Sequence, residues 1–570
     1  MGAKGRTTES GTELSFANGR FLDVFSGRFR EGDLSVSAGR IRGFAQSSPS
    51  GDVYDLHGAW VIPGLIDAHV HIESSHLSPR EFARAVIPHG TTCVIADPHE
   101  IANVLGLEGI RYMLEATERI PLRAWFMAPS CVPSSPFETG GAVLGADEIA
   151  QMLTWDRILG LGELMNYPGV VGGDASVLSK LDAARGRPID GHAPGLSGEG
   201  LWAYVAAGPR TDHECTTMEE AREKLRAGMT ILIREGTTAR NLDALLPLLS
   251  ERTAPFVHFC TDDRHPETLL DEGHIDDLVR RAIARGVPAE IAIAAATIHP
   301  ARTYGLADLG AIAPGYRADL VVLSDLERFE VADVFVGGRH VAGGGVPRFD
   351  AESDDDTTVR DSFRIDPARL SFRIEAGDVA EACVRVIDVE EAQIVTGSST
   401  EVVRSQGGEF RADPERDLVK LAVIDRYTGS GRTGVGFARG LGLRRGAIAS
   451  SVAHDAHNVV VAGATDAEMR RAVDALVRIG GGQVVVEGED VTSSLSLPIA
   501  GLMSDRPLDE VAGRARELTA AVRRLGSELD APFAALSFLA LPVIPHLKLT
   551  DLGLVDVDRF ELVPLLVEEA

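Results

Sequence analysis

The order of apolar and polar positions divides the chain into three kinds of segment. In residues 12–62, short apolar runs alternate with Gly, Asn and Ser turns, which is typical of strands and hairpins. From about Val61 to Ala307, each apolar run is followed by a helical pattern, and this alternation predicts a parallel sheet. Residues 306–345 return to short strands with Gly and Pro turns.

The middle segment predicts an α/β fold, a TIM (β/α)8 barrel, because it contains eight strand-like runs. Eight βα units in about 240 residues match the size of that fold, and a barrel of six strands is the nearest alternative. The runs are LIDAHVHI, TTCVIAD, RAWFMAPS, ILGLGEL, PIDGHA, RTDHEC, TILIREG and PFVHFCTD. Their carboxyl ends would meet at one mouth of the barrel.

The two β segments that flank the barrel are predicted to pair as one domain that is split in sequence. A Gly- and Asp-rich stretch without apolar periodicity then marks a linker. The final unit combines strand patterns such as NVVVAG with a helical pattern, DAEMRRAVDALVR. The predicted units are a split β-sandwich domain at 10–62 and 306–345, the catalytic barrel at 63–305, a linker at 346–365 and a C-terminal α/β domain at 366–570.

Composition excludes several classes of function. Lys and Arg number 56 against 84 Asp and Glu, and the formal charge of −28 repels phosphate backbones and anionic headgroups, so we expect no nucleic acid and no membrane as partner. The sequence lacks both an apolar leader and a run of about 18 apolar residues, which predicts a cytoplasmic protein. Five cysteines without a CxxC pair predict reduced thiols rather than disulfides or a thiolate zinc site.

Histidines and carboxylates at strand ends predict a metal centre. His69 and His71 stand two residues apart on a strand, so both imidazoles face the same side, although an isolated pair of this kind is as readily structural. Each further candidate falls near the carboxyl end of its own strand, where barrel sites are built. These candidates are Glu163, His192, His213 and Asp262.

The six residues suit two divalent ions. Two cations about 3.5–4 Å apart need a bridging anion, and Glu163, inside the apolar run LGLGEL, is the predicted bridge because a buried carboxylate needs a metal or a partner. His192 and His213 would then hold the second metal. Asp262 would bind the first metal, face its water and act as a base. Oxygen and imidazole ligands suit manganese, iron and zinc alike.

Several phrases resemble known families. PGLIDAH with His69 and His71, and APGYRADLVVL at 313–323, resemble the amidohydrolase superfamily. More narrowly, ADPHEIANVLG, GLGELMNYPGV, TDHECTT and FCTDDRHP are similar to the adenine deaminase family, and GRTGVGFARGLGLRRGAIASSVAHDAHNVVVAG is similar to its C-terminal domain. Many amidohydrolases bridge the metals with a carboxylated lysine. Glu163 at this position matches adenine deaminases instead and disfavours dihydroorotase- or hydantoinase-like activities.

The resemblance implies that a metal-bridging hydroxide attacks C6 of adenine and releases ammonia and hypoxanthine, as in purine salvage and adenine catabolism. It favours Mn²⁺ or Fe²⁺, with Zn²⁺ as the alternative, and we expect a homo-oligomer, a dimer or larger. Asp262 is the natural acceptor of the proton of the attacking water. Glu214 and Glu235 are both candidates for the acid that protonates N1, and the sequence does not choose between them.

Two other functions stay open. Barrel loops set the substrate, so another amidohydrolase acting on a different aminopurine or on a cyclic amide or amidine is the rival enzyme. The rival of another class is a non-catalytic protein that binds purine or metal. The unrelated one-zinc deaminase fold is excluded because its P-C-x-x-C motif is absent.

Further polar groups near the barrel mouth are candidate substrate contacts. His99 and Glu100 follow the second strand, where a plain helix start is the structural alternative. Ser134 and Glu138 lie in a loop after the third strand, PSSPFETGG, which is otherwise an ordinary turn. His454 and His457 in SVAHDAHN predict a loop that reaches the barrel mouth, a small metal site of its own, or a turn with satisfied histidines.

Overall fold

The structure, a computed structural model, describes residues 13–44, 51–350, 357–390 and 395–567. Parts of the predicted split domain (10–12, 45–50), linker (351–356) and C-terminal domain (391–394, 568–570) lie outside the described residues. Alternating apolar residues near the start of the chain form five strands of one sheet. They are β1 (Glu13–Asp23), β2 (Arg28–Ser37), β3 (Arg40–Phe44), β4 (Asp52–Asp55) and β5 (Trp60–Pro63).

The next eight strands are parallel and form the predicted barrel. They are β6 (Leu65–Val70), β7 (Thr91–Ala96), β8 (Arg123–Ala128), β9 (Ile158–Leu164), β10 (Ile189–Gly191), β11 (Thr211–Asp212), β12 (Thr230–Arg234) and β13 (Val257–Cys260). One sheet joins β6 to β10 and another joins β11 to β13.

Backbone hydrogen bonds close the two seams between these sheets. The N–H of Asp262 donates to His69 O at 3.0 Å, and the N–H of Arg210 donates to Ile189 O at 3.0 Å. All eight predicted strands lie in this barrel, so the predicted fold class is confirmed.

Helices cover the outside of the barrel. Helix α1 illustrates their origin: the Ser78 side chain accepts a hydrogen bond from the N–H of Glu81 at 3.4 Å, Pro79 opens the helix, and Phe82 and Val86 are buried. The helices are α1 (Pro79–Val86), α2 (His99–Leu105), α3 (Leu107–Ala116), α4 (Ala146–Met152), α5 (Tyr167–Gly172), α6 (Ala175–Ala183), α7 (Gly198–Ala207), α8 (Met218–Arg226), α9 (Leu242–Leu245), α10 (Pro266–Glu272), α11 (Ile275–Ala284), α12 (Ala289–Ala295) and α13 (Ile298–Thr303).

Four strands after the barrel complete the first sheet. They are β14 (Leu320–Asp325), β15 (Glu330–Val336), β16 (Arg339–Gly343) and β17 (Val346–Pro347). Strand β14 pairs antiparallel with β5, and Phe335 packs edge-on against Phe16 with ring centroids 4.8 Å apart. The strands before and after the barrel in the chain thus share one sheet, which supports the split domain. The boundaries of that domain stay a prediction.

The rest of the described chain forms a ten-stranded mixed sheet, a three-stranded sheet and four helices. The strands are β18 (Ile374–Glu375), β19 (Glu381–Val389), β20 (Thr396–Gln406), β21 (Glu409–Phe410), β22 (Leu418–Ile424), β23 (Thr433–Arg439), β24 (Ala447–Ser450), β25 (Val459–Gly463), β26 (Gly482–Glu487), β27 (Asp490–Ser496), β28 (Leu547–Thr550), β29 (Gly553–Asp556) and β30 (Glu561–Val563). The helices are α14 (Thr357–Arg360), α15 (Asp466–Arg478), α16 (Leu508–Arg524) and α17 (Pro532–Phe538).

This C-terminal unit packs on the barrel. Helix α15 buries Met469, Val473 and Leu476 against the large sheet. Helix α16 packs against α10 of the barrel, where Arg516 Nη2 lies 2.6 Å from Asp271 Oδ1. None of the helices in the described ranges has the length and apolarity needed to cross a bilayer.

Lys548 on β28 gives a test of this packing. Its side chain is fully buried, its Nζ donates to Phe538 O at 2.9 Å, and burial lowers its pKa from 10.5 to about 7. The unfolded chain binds this proton between pH 7 and 10 while the folded chain does not, so the free energy of unfolding should rise with pH by up to about 1.4 kcal/mol per unit. Urea unfolding of the wild type and Lys548→Met at pH 7 to 10 measures the difference. A difference that does not change with pH would show that Lys548 is charged in the folded protein.

Candidate metal centre and active site

His69 lies near the end of β6, and His71 directly follows this strand at the carboxyl end of the barrel. Their Nε2 atoms lie 3.2 Å apart, and both rings are buried. His71 Nδ1 lies 2.9 Å from Asp97 O, which can only accept, so Nδ1 carries the hydrogen and the lone pair of Nε2 faces the cluster. This tautomer is the one that binds a metal through Nε2.

Glu163, at the end of β9, lies between two pairs of histidines. Its Oε1 is 3.2 Å from His71 Nε2 and 3.9 Å from His69 Nε2. Its Oε2 is 2.7 Å from His192 Nδ1 and 3.3 Å from His213 Nε2. Burial raises the pKa of Glu163, but contacts with these histidines outweigh burial and hold it well below its usual value. One carboxylate oxygen therefore faces each pair, which is the arrangement of a bridging ligand.

Asp262, two residues after the end of β13, faces His69 and His71. Its Oδ1 is 3.4 Å from His69 Nε2 and 3.1 Å from His71 Nε2, and its Oδ2 accepts a hydrogen bond from Arg234 Nη1 at 3.0 Å. The backbone of Asp262 has a φ of 58°, in the left-handed region that non-glycine residues seldom adopt. The seam bonds to β6 hold this conformation, which aims the carboxylate into the barrel mouth.

The donor set fits divalent metal. His69, His71 and Glu163 place their ligand atoms within 4.8 Å of one another, and so do Glu163, His192 and His213. Neither ring nitrogen of the buried His213 makes a well-aligned hydrogen bond among the described residues, although oxygens of Glu163 and Glu214 lie 3.3 Å from its Nε2. A metal ion at Nε2 would provide the missing partner. All these donors are imidazole nitrogens or carboxylate oxygens.

The structure separates the two candidate acids. Glu214 Oε1 lies 3.3 Å from His213 Nε2, and its Oε2 accepts from Arg234 Nη2 at 3.1 Å. Glu235 points away: it accepts from the N–H of Leu242 at 3.0 Å and from Arg281 Nη1 at 2.5 Å. Successive strand residues face opposite sides, so Arg234 enters the site and Glu235 leaves it.

Arg234 is the residue that sequence analysis missed. Its Nη1 contacts both Glu214 Oε1 and Asp262 Oδ2. Burial raises the pKa of both carboxyls, but this guanidinium outweighs burial and lowers both below their usual values. The sequence offered one indication of this role: Arg234 is the last residue of β12, and barrel sites are built at the carboxyl ends of the strands.

A loop of the C-terminal unit, which we call the 453–458 loop, reaches the barrel mouth. Glu100 Oε1 lies 2.5 Å from His454 Nδ1, and Glu100 Oε2 contacts His457 Nε2. Glu100 Oε1 is also 3.4 Å from His99 Nε2, while His99 Nδ1 lies 3.2 Å from Glu163 Oε1. A chain of contacts therefore runs from this loop to the predicted bridging carboxylate.

Glu100, His454 and His457 lie close enough to hold an ion, but the hydrogen bonds favour another arrangement. His457 Nδ1 accepts from the N–H of Ala453 at 3.1 Å. In a neutral imidazole Nε2 then carries the hydrogen and donates to Glu100, and it has no lone pair for a metal. Of the three predicted roles of this loop, the geometry favours reaching the barrel mouth.

The 133–140 loop contacts the 453–458 loop rather than the cluster itself: Asn458 Nδ2 donates to Thr139 O at 2.8 Å. Ser134 Oγ donates to Glu138 Oε1 at 2.7 Å, and burial raises the pKa of Glu138 to about 8. Neither residue lines the cavity beside the cluster. The contacts do not bring these two predicted substrate ligands to the site.

That cavity has a volume of about 100 Å³. One wall comes from the barrel and is polar, with His71, His99, His192, His213, Glu163, Glu214 and Asp262. The other comes from the C-terminal unit and is mainly apolar, with Phe538, Leu541, Val543 and Ile544. The space suits a small, partly apolar molecule.

The barrel and its buried histidine and carboxylate cluster define a metal-dependent hydrolase. Residues 60–341 match the amidohydrolase family, and residues 393–561 match the adenine deaminase C-terminal domain. The chain is 49% identical over 557 residues to adenine deaminase 2 of Carboxydothermus hydrogenoformans, and 47% identical over 558 residues to adenine deaminase of Desulfatibacillum aliphaticivorans, with 97% of each chain covered in both cases. A solved enamidase is 17% identical and covers 59% of this chain and 97% of its own, with a TM-score of 0.45. The chain belongs to the adenine deaminase family.

Proposed function

We propose that this protein hydrolyses adenine to hypoxanthine and ammonia. The observation that carries the proposal is Glu163, whose two oxygens face His69 and His71 on one side and His192 and His213 on the other. The adenine deaminases that the chain matches along nearly its whole length support adenine as substrate.

The residues that would hold two divalent metals fall into two sets. His69, His71, Glu163 and Asp262 would hold the first, and Glu163, His192 and His213 the second. When bound, the metals lower the pKa of a shared water so that it can act as a nucleophile at neutral pH. The sequence resemblance favours Mn²⁺ or Fe²⁺, with Zn²⁺ as the alternative.

Asp262 is the proposed base. Its Oδ1 lies on the cluster side, where it takes the proton of the attacking water, and the same carboxyl can return a proton to the departing amino group. Arg234, bonded to Oδ2, keeps Asp262 ionised before the reaction.

Glu214 is the proposed N1 acid. Its contact with Arg234 keeps it ionised at rest, so it must receive a proton before it gives one. The attacking water has two protons: one passes through Glu214 to N1, and the other, taken by Asp262, leaves with the amino group as ammonia. Glu235 is left out of the proposed machinery because its carboxylate is bonded to Arg281 on the other side of the strand.

The 453–458 loop completes the site. His454 and His457 hold Glu100, and Glu100 lies beside His99, which contacts Glu163. We assign these residues to positioning the bridging carboxylate. Phe538 and Ile544 line the cavity with apolar surface, which reduces the water beside the cluster and strengthens the electrostatic contacts there. Oligomeric state, cytoplasmic location and a role in purine salvage stay predictions.

The test is turnover of adenine by protein that has been stripped of metal and reloaded with Mn²⁺, Fe²⁺ or Zn²⁺. We expect loss of adenine absorbance, one ammonia per adenine and about two metal ions per chain. Three ions per chain would contradict the hydrogen-bonding assignment of His457. With two metals bound, turnover of another aminopurine or a cyclic amide but not adenine would favour the rival enzyme. No turnover on that panel would favour the non-catalytic binding protein.

A further inference from the structure

The C-terminal unit also places a carboxylate in the candidate active-site cavity. Asp455 is only 4% exposed and lines the same cavity as His99, Glu163 and Glu214. Its neighbours in the chain, His454 and His457, are both bonded to Glu100, so the loop that carries it is anchored to the barrel.

One oxygen of this carboxylate is unsatisfied. Asp455 Oδ2 is buried and has no hydrogen-bond partner among the described residues. A buried carboxylate oxygen without a donor is costly, whereas the carboxylates of Glu163 and Asp262 have partners in the cluster. A ligand with an N–H group at this point of the cavity would remove that cost.

Asp455 and Glu214 line the same cavity beside different residues. Glu214 is next to His213 and Arg234. Asp455 interacts with His99 and Glu100 and follows His454 directly in the chain. C6 of a purine has N1 on one side and the fused imidazole ring on the other. A purine whose N1 faces Glu214 therefore turns its imidazole ring toward Asp455.

We propose that Asp455 accepts a hydrogen bond from the ring N–H of the imidazole half of the substrate purine. The assignment rests on the proposed function and adds a specificity-determining residue from the C-terminal unit. A free base carries this N–H, on N9 or N7, whereas a base substituted at N9 does not. Asp455 would thus recognise the unsubstituted base through its imidazole ring, on the side of C6 that faces away from N1.

The experiment compares the wild type with Asp455→Ala and Asp455→Asn, loaded with the same metal. A charge-assisted hydrogen bond of ordinary strength predicts a rise of about 10- to 100-fold in KM for adenine in Asp455→Ala. Calorimetric binding of hypoxanthine should weaken by the same factor. This second measurement needs no turnover.

Ligand pairs test the atom that is recognised. We expect Asp455→Ala to weaken the binding of hypoxanthine but not of 9-methylhypoxanthine, which has no imidazole N–H. The isosteres 7-deazaadenine and 9-deazaadenine keep the N–H at N9 and N7 respectively. Whichever isostere loses affinity in Asp455→Ala identifies the nitrogen.

Asp425→Asn is the matched control. Asp425 is a buried carboxylate of the same unit, but Tyr427 N–H and Ser430 Oγ already donate to it at 2.8 and 2.7 Å. It should leave KM and hypoxanthine binding unchanged. Metal content and melting temperature verify that each variant is folded.

The outcomes separate the two proposals. An active wild type with unchanged KM and hypoxanthine affinity in folded Asp455→Ala would overturn the Asp455 assignment alone. A wild type that binds hypoxanthine but does not turn over adenine would contradict the proposed function, and the calorimetric comparison would still decide the role of Asp455. Failure of the wild type to bind hypoxanthine or adenine would overturn both.

Discussion

Asp262→Asn is expected to reduce kcat for adenine by about 10²- to 10⁴-fold, the range attributed to general acid–base groups. The amide oxygen of Asn can still contact a metal beside His69 and His71, but it cannot take a proton from water. Steady-state kinetics together with metal analysis measure the two properties separately. We expect the metal content to stay near that of the wild type.

Thr261→Ser is the control at the neighbouring position. The Thr261 side chain donates to Asp67 behind the strand, and Ser retains that hydroxyl. If Asp262→Asn retains kcat within a few-fold of the wild type while Thr261→Ser behaves normally, another group must accept the proton.

Glu163→Gln is expected to have the second large effect, through metal content. The amide keeps the shape of the side chain but has a single acceptor oxygen and no charge, so it cannot face both histidine pairs as the carboxylate does. Loss of mere hydrogen-bonding partners of metal ligands costs about 10- to 100-fold in metal affinity. The bridging ligand itself should cost at least the upper end of that range, and turnover should fall with it.

Metal titration of the stripped protein, followed by activity at saturating metal, measures this effect. Glu81→Gln is a matched control, because Glu81 is buried on the barrel but pairs with Arg80 and Arg84. Full retention of two tightly bound ions in Glu163→Gln would show that Glu163 is not the bridge.

Local patterns were enough to predict the barrel and the position of the cluster. Each strand-like run became a strand, and because parallel strands end at one mouth, residues as distant as His69 and Asp262 could be expected to converge. The choice between Glu214 and Glu235 failed at the sequence level because it depends on side-chain direction. Glu214 follows a two-residue strand, which is too short to fix a direction by pattern.

Contacts between units lie beyond any local pattern. Glu100 and His454 are 354 positions apart in the chain, and their contact depends on how the C-terminal unit packs on the barrel. The polar residues of SVAHDAHN indicated that the segment has a role, but not that Glu100 would be the partner. Arg234 was missed for a related reason, since its role is to join two carboxylates, Asp262 after β13 and Glu214 after β11.

The pairing of β5 with β14 has a consequence for synthesis on the ribosome. Roughly 250 residues separate Pro63 from Leu320, and at about 5–20 residues per second they take on the order of 10 to 50 seconds to translate. During that time one side of β5 has no strand to pair with, and an open, apolar strand edge is where nascent chains associate with each other. The first sixty residues therefore expose an unpaired strand edge until β14, which follows the barrel in the chain, has been translated.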